Sequence, residues 1–445
     1  MSTWFKSRAD SEILESLKVS LPLVVVQLIE SIYSLTDTYF VGGLGREALA
    51  GVGVAGYLTW LIGVLIAVFQ APISILVAQL VGAGKRLEAS ATAGTILLVG
   101  VAYSALISAV LYVFVEELVY VQSGASGLMF KYAVDYLRVR ILGFTVLAVA
   151  MMLDSVIVAS GRTKYSMIAH AIGVLLNIAL DPILIYGLYG FPRLETAGAA
   201  LATVVASTVV IPVQLLLLSK LDLLPRFCLK LSTVKQALSL GAPVLAERAV
   251  MAFGNNAYAG VISRLGEAAM AAHNIGLRIE SVVYMPGFAF MMTASTLVGQ
   301  RVGRGDLEAA RRIGLKVVHL GSAVMAGLGL MIAALGYYLV APFSPDHDVR
   351  VLASTYLLLA GLSELGLGLA MVSSGAIRGG GETRLPFLVN TVSMILARVL
   401  PAVVLARVLG VVGPWLAMFV DVYVRGFTLY ALFRLRFKKI ARKLA

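Results

Sequence analysis

Long apolar runs, broken by short polar stretches, recur from one end of the 445-residue chain to the other. A helix needs about 20 mostly apolar residues to cross a bilayer. Twelve runs reach that length: 19–41, 51–81, 91–115, 131–156, 165–189, 196–219, 236–262, 271–300, 312–340, 350–376, 385–408 and 413–433. Their apolar residues are continuous rather than alternating, so the period-two pattern of a membrane β-barrel is missing. In lipid a helix satisfies its own backbone hydrogen bonds. The pattern therefore predicts an all-α membrane protein with twelve transmembrane helices. The opening segment, 1–18, is polar and amphipathic, with no small-residue cleavage site before the first run. It reads as a cytoplasmic segment rather than a cleavable signal.

Composition agrees with this pattern. The chain is 60% hydrophobic and 13% charged, whereas a soluble domain is about a quarter charged. A net charge of +12 raises the question of nucleic acid, but the distribution answers it. With the N-terminus in the cytoplasm, the termini and every second loop carry 23 Lys and Arg, the tail "RLRFKKIARK" among them, against six in the opposite loops. That asymmetry is the positive-inside rule. It puts both termini in the cytoplasm of a cell-membrane protein, makes the lipid bilayer the partner and excludes nucleic acid. The single cysteine, Cys228, leaves no internal disulfide and no cysteine metal site.

The chain also repeats itself. "LGREALA" from Leu44 returns as "LGEAAMA" from Leu265, and "VAQLVGAGKRLEA" from Val77 as "VGQRVGRGDLEAA" from Val298, both 221 residues on. "SGRTKY" from Ser160 has a counterpart in "GGGETRL" from Gly379. Each half holds six spans, so both halves have the same orientation, related by a pseudo-two-fold axis along the membrane normal, a pattern found in transporters. The expected organisation is 1–18 cytoplasmic, 19–219 the N-terminal lobe, 220–235 a basic linker, 236–433 the C-terminal lobe and 434–445 a cytoplasmic tail. "GAGKRLEAS" and "GRGDLEAARR" read as turns. Neither continues into the Gly-Lys-Ser/Thr of a phosphate loop, which argues against an ATP-driven pump.

Charges at membrane depth are costly and usually functional. Glu30 and Asp37 are seven apart on the first span, so they share a face with Tyr33. Pro22 removes a backbone hydrogen bond from the same helix and invites a bend. On the fifth span, Asn177 and Asp181 are four apart, on one face, and Pro182 follows. The sixth span offers Thr203 among small residues. Two carboxylates, an amide oxygen and a hydroxyl form an all-oxygen set that suits Na⁺; the same acids, desolvated together, can carry H⁺. No further cofactor is implied. A salt-bridged packing role, with Arg138, Arg140 or a second-half arginine as partner, is the alternative for a lone Asp37. Glu30, Tyr33, Asp154 and Gln27 are candidates to face a substrate, as is Met285 in a cluster with Phe288, Met291 and Met292. Pro286 is a candidate hinge in the eighth span. The second half does not copy the acids: Asp37 maps to Tyr258 and Asn177 onto or beside Arg398. The cation chemistry is therefore expected in the first half alone. His170 and His319 are given no role.

"TDTYFVGGLGREALAGVGVA", "GQRVGRGDLEAARR", "ASGRTKYSMIAHAIGVLLNIALDPILIYG", "GAALAT" and "SSGAIRGGGETRLP" resemble the multidrug and toxic compound extrusion family, MATE, and within it the archaeal and bacterial DinF-type branch. The resemblance covers nearly the whole chain. It implies two six-helix lobes around a central cleft and exchange of cytoplasmic drugs, often organic cations, for Na⁺ or H⁺, with the cation site in the N-terminal lobe. The family's first-span acid matches Asp37, its fifth-span pair Asn177 and Asp181, and its sixth-span Thr most resembles Thr203. The bend proline matches Pro22 and a pocket tyrosine matches Tyr33. Glu30 departs from the neutral polar residue expected there, a change that favours cations.

The reading is thus a secondary active multidrug efflux antiporter, monomeric and not an enzyme. No HExxH, GxSxG or histidine cluster is present. The alternative is a lipid-linked precursor flippase of the same superfamily, which usually has fourteen helices and a more basic cavity.

Overall fold

The protein is seen in a computed structural model that describes residues 2–124 and 126–444, with the backbone alone for 2–10. Among the described residues there are helices and no strands. The first half holds α1 (Ser2–Gly42), α2 (Arg46–Val64), α3 (Ala67–Gly82), α4 (Arg86–Val113), α5 (Val115–Ser123), α6 (Leu128–Leu142), α7 (Phe144–Ala159), α8 (Thr163–Tyr186) and α9 (Glu195–Ser219). The second holds α10 (Leu231–Ser263), α11 (Glu267–Gly303), α12 (Leu307–Val340), α13 (His347–Gly379), α14 (Arg384–Ser393), α15 (Leu400–Leu409), α16 (Val412–Ala431) and α17 (Phe437–Ile440), with π-helical turns at Met394–Val399 and Leu432–Arg436. Eleven of the described helices, or twelve with α6 and α7 taken as one bent span, are long and apolar enough to cross a membrane. The protein is a multi-pass membrane protein.

Two predicted spans are broken. The run 51–81 divides into α2 and the shorter α3, just past Gly63, a residue with little helix preference. Pro72 then leaves the Val68 carbonyl without its helical donor. Gly241 lies against that oxygen, where a Cβ would stand 1.9 Å away. The run 131–156 bends by 53° between α6 and α7. Gly143 sits at the bend, and a Cβ there would fall 2.1 Å from Val204 Cγ2, so glycine lets α9 approach. The opening segment read as separate is the first part of α1 itself.

The repeats become matched turns. Gly45 and Gly266 take φ of +111° and +116°, and Gly84 and Gly305 take +77° and +84°, a region only glycine enters without strain. Each turn ends one helix and starts the next: α2 and α11 open right after the first pair, α4 and α12 two residues after the second.

The chain divides into two compact units. One comprises the chain up to Val24, Ala78–Gly84 and the chain from Ala242 onward; the other comprises Val25–Val77 and Lys85–Gly241. The division falls inside α1, just after Pro22. In the first-half unit α2 packs on α6, and α9 on α6, α7 and α8. Val41, Ala48, Leu137, Ile141, Ile185 and Ala199 are buried in its core. In the second-half unit α13 is central, packed by α11, α12 and α16, around Tyr356, Leu357, Trp415 and Ile332. Large apolar residues such as Val113, Leu175, Phe253, Leu396 and Val408 remain exposed, as a lipid-facing surface requires.

Candidate functional site

The polar residues of the first-half unit form two linked groups. The first joins α1, α8 and α9. Tyr33 and Thr203 hydroxyls lie 2.7 Å apart. Thr203 Oγ1 also donates to the Ala199 carbonyl at 3.2 Å, so its proton is engaged and Tyr33 is the donor between them. With the Asn177 amide oriented to satisfy both its atoms, its NH₂ donates to Asp181 Oδ2 at 3.2 Å and its oxygen accepts the Thr203 backbone N–H at 3.1 Å. Helical spacing explains the cluster: Asn177 and Asp181 stand one turn apart. Asp181 is fully buried and Asn177 nearly so.

Asp37 stands beside this group rather than in it. It is close enough to Asp181 and Arg140 for electrostatic interaction, yet makes no bond to Asn177, Asp181 or Thr203. Asp37 Oδ1 and Asp181 Oδ1 are both buried without a hydrogen-bond partner. These two oxygens are the acceptors of the set that meet no donor at all, whereas the Asn177 oxygen and the Thr203 hydroxyl each already accept one protein donor. A cation seated here would take both carboxylates first. It would share the Thr203 hydroxyl with Tyr33, through the oxygen's second lone pair or by displacing that bond. The donor atoms are all oxygen, as a hard cation prefers. Among the described residues no group of three or more His, Cys, Asp or Glu could hold a metal ion. Arg138, an imagined partner for these acids, instead pairs with Glu116 of α5. Arg140 is the cation beside Asp37, with Nε and Nη1 buried and unpartnered.

The second group joins α1, α7 and α8. His170 Nδ1 lies 2.9 Å from Glu30 Oε1 and its Nε2 lies 3.5 Å from Asp154 Oδ2. Ser166 Oγ donates to Asp154 Oδ1 at 2.6 Å. The structure thus brings Glu30 and Asp154 together through a histidine to which the sequence reading gave no role. The signal was present: Ser166, His170, Asn177 and Asp181 are spaced four, seven and four along α8, which keeps them on one side. Gln27 is half-buried one turn before Glu30 on α1, and its backbone carbonyl accepts from Ser31. Met285, on α11, belongs to the other unit. Pro22, Pro182 and Pro286 each lie inside a continuous helix.

The second-half unit carries buried charges of its own. Asp421 accepts from Arg398 at 2.8 Å and Ser393 at 2.5 Å, with Arg425 at 3.3 Å. Glu247 pairs with Arg378 at 2.6 Å and with Asn390 at 2.8 Å. Glu280 accepts from Tyr356. Glu364 is fully buried, and neither carboxylate oxygen has a partner. Arg398, which replaces Asn177 at the repeat offset, is thus half of an ion pair.

Comparison with known proteins fits this architecture. The family model MatE matches residues 22–183 and again 243–404, two stretches offset by the same 221 residues as the internal repeat. The chain is 27% identical over 431 residues to a probable multidrug resistance protein NorM of Thermotoga maritima, covering 94% of this chain and 91% of that protein. It is 25% identical to a FAD transporter of Shewanella oneidensis, covering 94% and 93%. Its fold is similar to that of a multidrug resistance MATE family transporter solved in an outward-facing conformation. The TM-score is 0.89 at 20% identity, with 97% of each chain covered. A Vibrio cholerae MATE transporter, VcmN, in its bent form also gives 0.89 at 20%, covering 97% and 98%.

Proposed function

The chain belongs to the MatE family of membrane transporters, which are not enzymes, and from that premise we propose that it is a secondary active multidrug efflux antiporter. It exports organic cations across the cell membrane in exchange for Na⁺ or H⁺, as a monomer, by alternating access of its two lobes, with both termini in the cytoplasm. The observation that carries this reading is the pair of buried carboxylate oxygens, Asp37 Oδ1 and Asp181 Oδ1, that no protein group satisfies. A buried anionic oxygen without a partner is unfavourable, and a proton or a cation relieves it. The multidrug resistance proteins among its relatives support the export of organic compounds. Acids at Glu30 and Asp154 support positively charged cargo over the anionic dinucleotide carried by the FAD transporter.

The coupling ion enters at Asp37 and Asp181, with Asn177 and Thr203 completing its shell. As it takes Thr203 Oγ1 it displaces the Tyr33 hydroxyl, which unties α1 from α9. Pro22, where the α1 backbone lacks a hydrogen bond, absorbs the resulting bend, and Pro182 and Pro286 serve as secondary hinges. Glu30, Tyr33, Gln27 and Asp154 face the drug in one unit, and Met285 serves it in the other. The test is ethidium efflux from proteoliposomes under separate Na⁺ and H⁺ gradients. One gradient is expected to drive efflux, and both Asp37→Asn and Asp181→Asn to abolish it. Efflux that ignores both gradients, or survives both substitutions, would overturn the coupling site.

A further inference from the structure

The Glu30–His170–Asp154 group has a charge logic of its own. Each imidazole nitrogen faces a carboxylate oxygen, and ionised carboxylates only accept hydrogen bonds. A neutral imidazole donates from one nitrogen alone, so His170 serves both acids as an imidazolium. With that charge in place the two carboxylates and the ring sum to −1. Without it they sum to −2. The side chains are not sealed away: Glu30 is 47% exposed, His170 26% and Asp154 15%. Three elements contribute, α1, α7 and α8. Ser166 of α8 holds Asp154 in orientation. Arg140 of α6 interacts electrostatically with Glu30 as well as with Asp37. An organic cation reaching this surface therefore meets a seat already half filled by a cation that belongs to the protein.

We infer that His170 is a specificity-determining residue: its imidazolium is a tethered occupant of the two-carboxylate seat, so the seat selects singly charged organic cations over doubly charged ones. The inference rests on the multidrug reading above and adds to it the charge of the preferred cargo. A monocation takes the exposed side of Glu30 and leaves His170 on Asp154. A dication would need both acids and must expel His170 first. A purely structural histidine, holding three helices together, would weaken every ligand alike when removed. A tethered cation makes a different prediction: its removal changes the order of preference.

Ethidium and propidium share one aromatic ring system and differ by one quaternary ammonium charge, so their affinity ratio reads charge selection directly. Binding of each dye to the purified full-length protein in detergent is measured by fluorescence anisotropy, with folding checked by size-exclusion profile. The wild type is expected to bind ethidium more tightly. His170→Gln keeps hydrogen-bonding capacity and removes the charge. It should move the ratio toward propidium by roughly tenfold, the effect of one charge on another about a nanometre away in a partly wet site. His170→Lys restores a cation and should restore the ethidium preference. Glu30→Gln, which neutralises the seat from the other side, should weaken both dyes and propidium more. A ratio unchanged in His170→Gln, or moved equally by His170→Lys, would overturn the inference while leaving the multidrug reading intact. Failure of the wild type to bind either dye would overturn both. Should His170→Gln not fold, an equal loss of both dyes in Glu30→Gln would overturn the inference by itself.

Discussion

Adding a single methyl group at Gly82 or at Gly303 tests the tightest helix crossing in the second-half unit. These two residues stand at the same place in the repeat, 221 apart, as do Gln79 and Gln300. The contacts are reciprocal. A Cβ on Gly82 would lie 1.9 Å from the Gln300 carbonyl oxygen, and one on Gly303 would lie 1.8 Å from the Gln79 carbonyl oxygen. A C–H carbon and a carbonyl oxygen come no closer than about 3.3 Å even in favourable contacts. The obstacle is backbone on both sides, so no rotamer change relieves it. The last turn of α3 and the end of α11 must part by roughly 1.5 Å. Overpacking of this kind costs about 1–3 kcal/mol, and the close approach that small residues give membrane helices is lost with it. Gly53 on α2 is the control, since a Cβ there meets nothing within 4 Å. Its change to alanine should be neutral or gain up to about 1 kcal/mol of helix preference. Thermal unfolding in detergent, followed by fluorescence-detected size exclusion, should rank Gly53→Ala at or above wild type and both Gly82→Ala and Gly303→Ala several degrees below. If the two crossing variants melted with the control, the reciprocal contact would not be holding the unit together.

Two further outcomes follow from buried polar pairs. Tyr33→Phe and Thr203→Val each remove one end of the 2.7 Å bond between α1 and α9. A double-mutant cycle on thermal stability should return a coupling of about 1 kcal/mol, and no coupling would mean the bond does not tie the helices. Asp421→Asn leaves Arg398 and Arg425 without their shared anion, whereas Arg398→Met leaves Asp421 still paired with Arg425. Removing one partner of a buried pair costs about 3–5 kcal/mol, so Asp421→Asn should be the more destabilised in the same melting assay. Equal losses would argue that Arg425 does not compensate.

Spans and repeat were legible because both are written in residue type. Apolar length sets the helices, and glycine marks the turns at Gly45, Gly84 and their copies, where a positive φ is needed. That Asn177 and Asp181 share a face was legible because i to i+4 spacing fixes it; their bond to each other was not. The break between α2 and α3 was not, since the apolar run passes through Leu65 and Ile66 without a polar residue. Asp37 shows the limit of face arguments. Spacing puts it on the side of α1 that carries Tyr33, but which of the two reaches Thr203 depends on side-chain length, and tyrosine is longer. His170 reads on its own helix as a polar group near an interface, and its place on the Ser166–Asp181 side of α8 does not name its partners. Its meaning comes from Glu30 and Asp154, which are 140 and 16 positions away and adjoin it only through tertiary packing.

The basic tail, expected from its charge to bias topology, is held in the structure mostly by other atoms. Lys and Arg after the last span bias orientation by charge, which any cation supplies. Most of the contacts that fix the tail are made by its backbone, beside one side-chain ion pair, Arg442 Nη2 with the buried Glu382 at 3.0 Å. The Arg442 N–H donates to the Gly380 carbonyl at 2.7 Å, and its carbonyl accepts from Gln79 Nε2 at 3.2 Å. The Leu444 N–H donates to Gln79 Oε1 at 2.8 Å. Gln79 is fully buried, and its amide also donates to the Gly379 carbonyl at 3.2 Å. By contrast Lys438 pairs with Glu308 across an exposed surface, where an ion pair contributes about 0–1 kcal/mol. Deleting residues 441–445 leaves the Gln79 amide with unmet hydrogen bonds in a buried place, which costs about 1–3 kcal/mol. Replacing Lys438, Lys439 and Lys443 with Gln keeps every backbone bond. This triple variant, which keeps Arg442 on Glu382, should therefore melt near wild type and the deletion clearly below it, with Gln79→Leu close to the deletion. A triple variant as unstable as the deletion would assign the anchoring to the lysine charges instead.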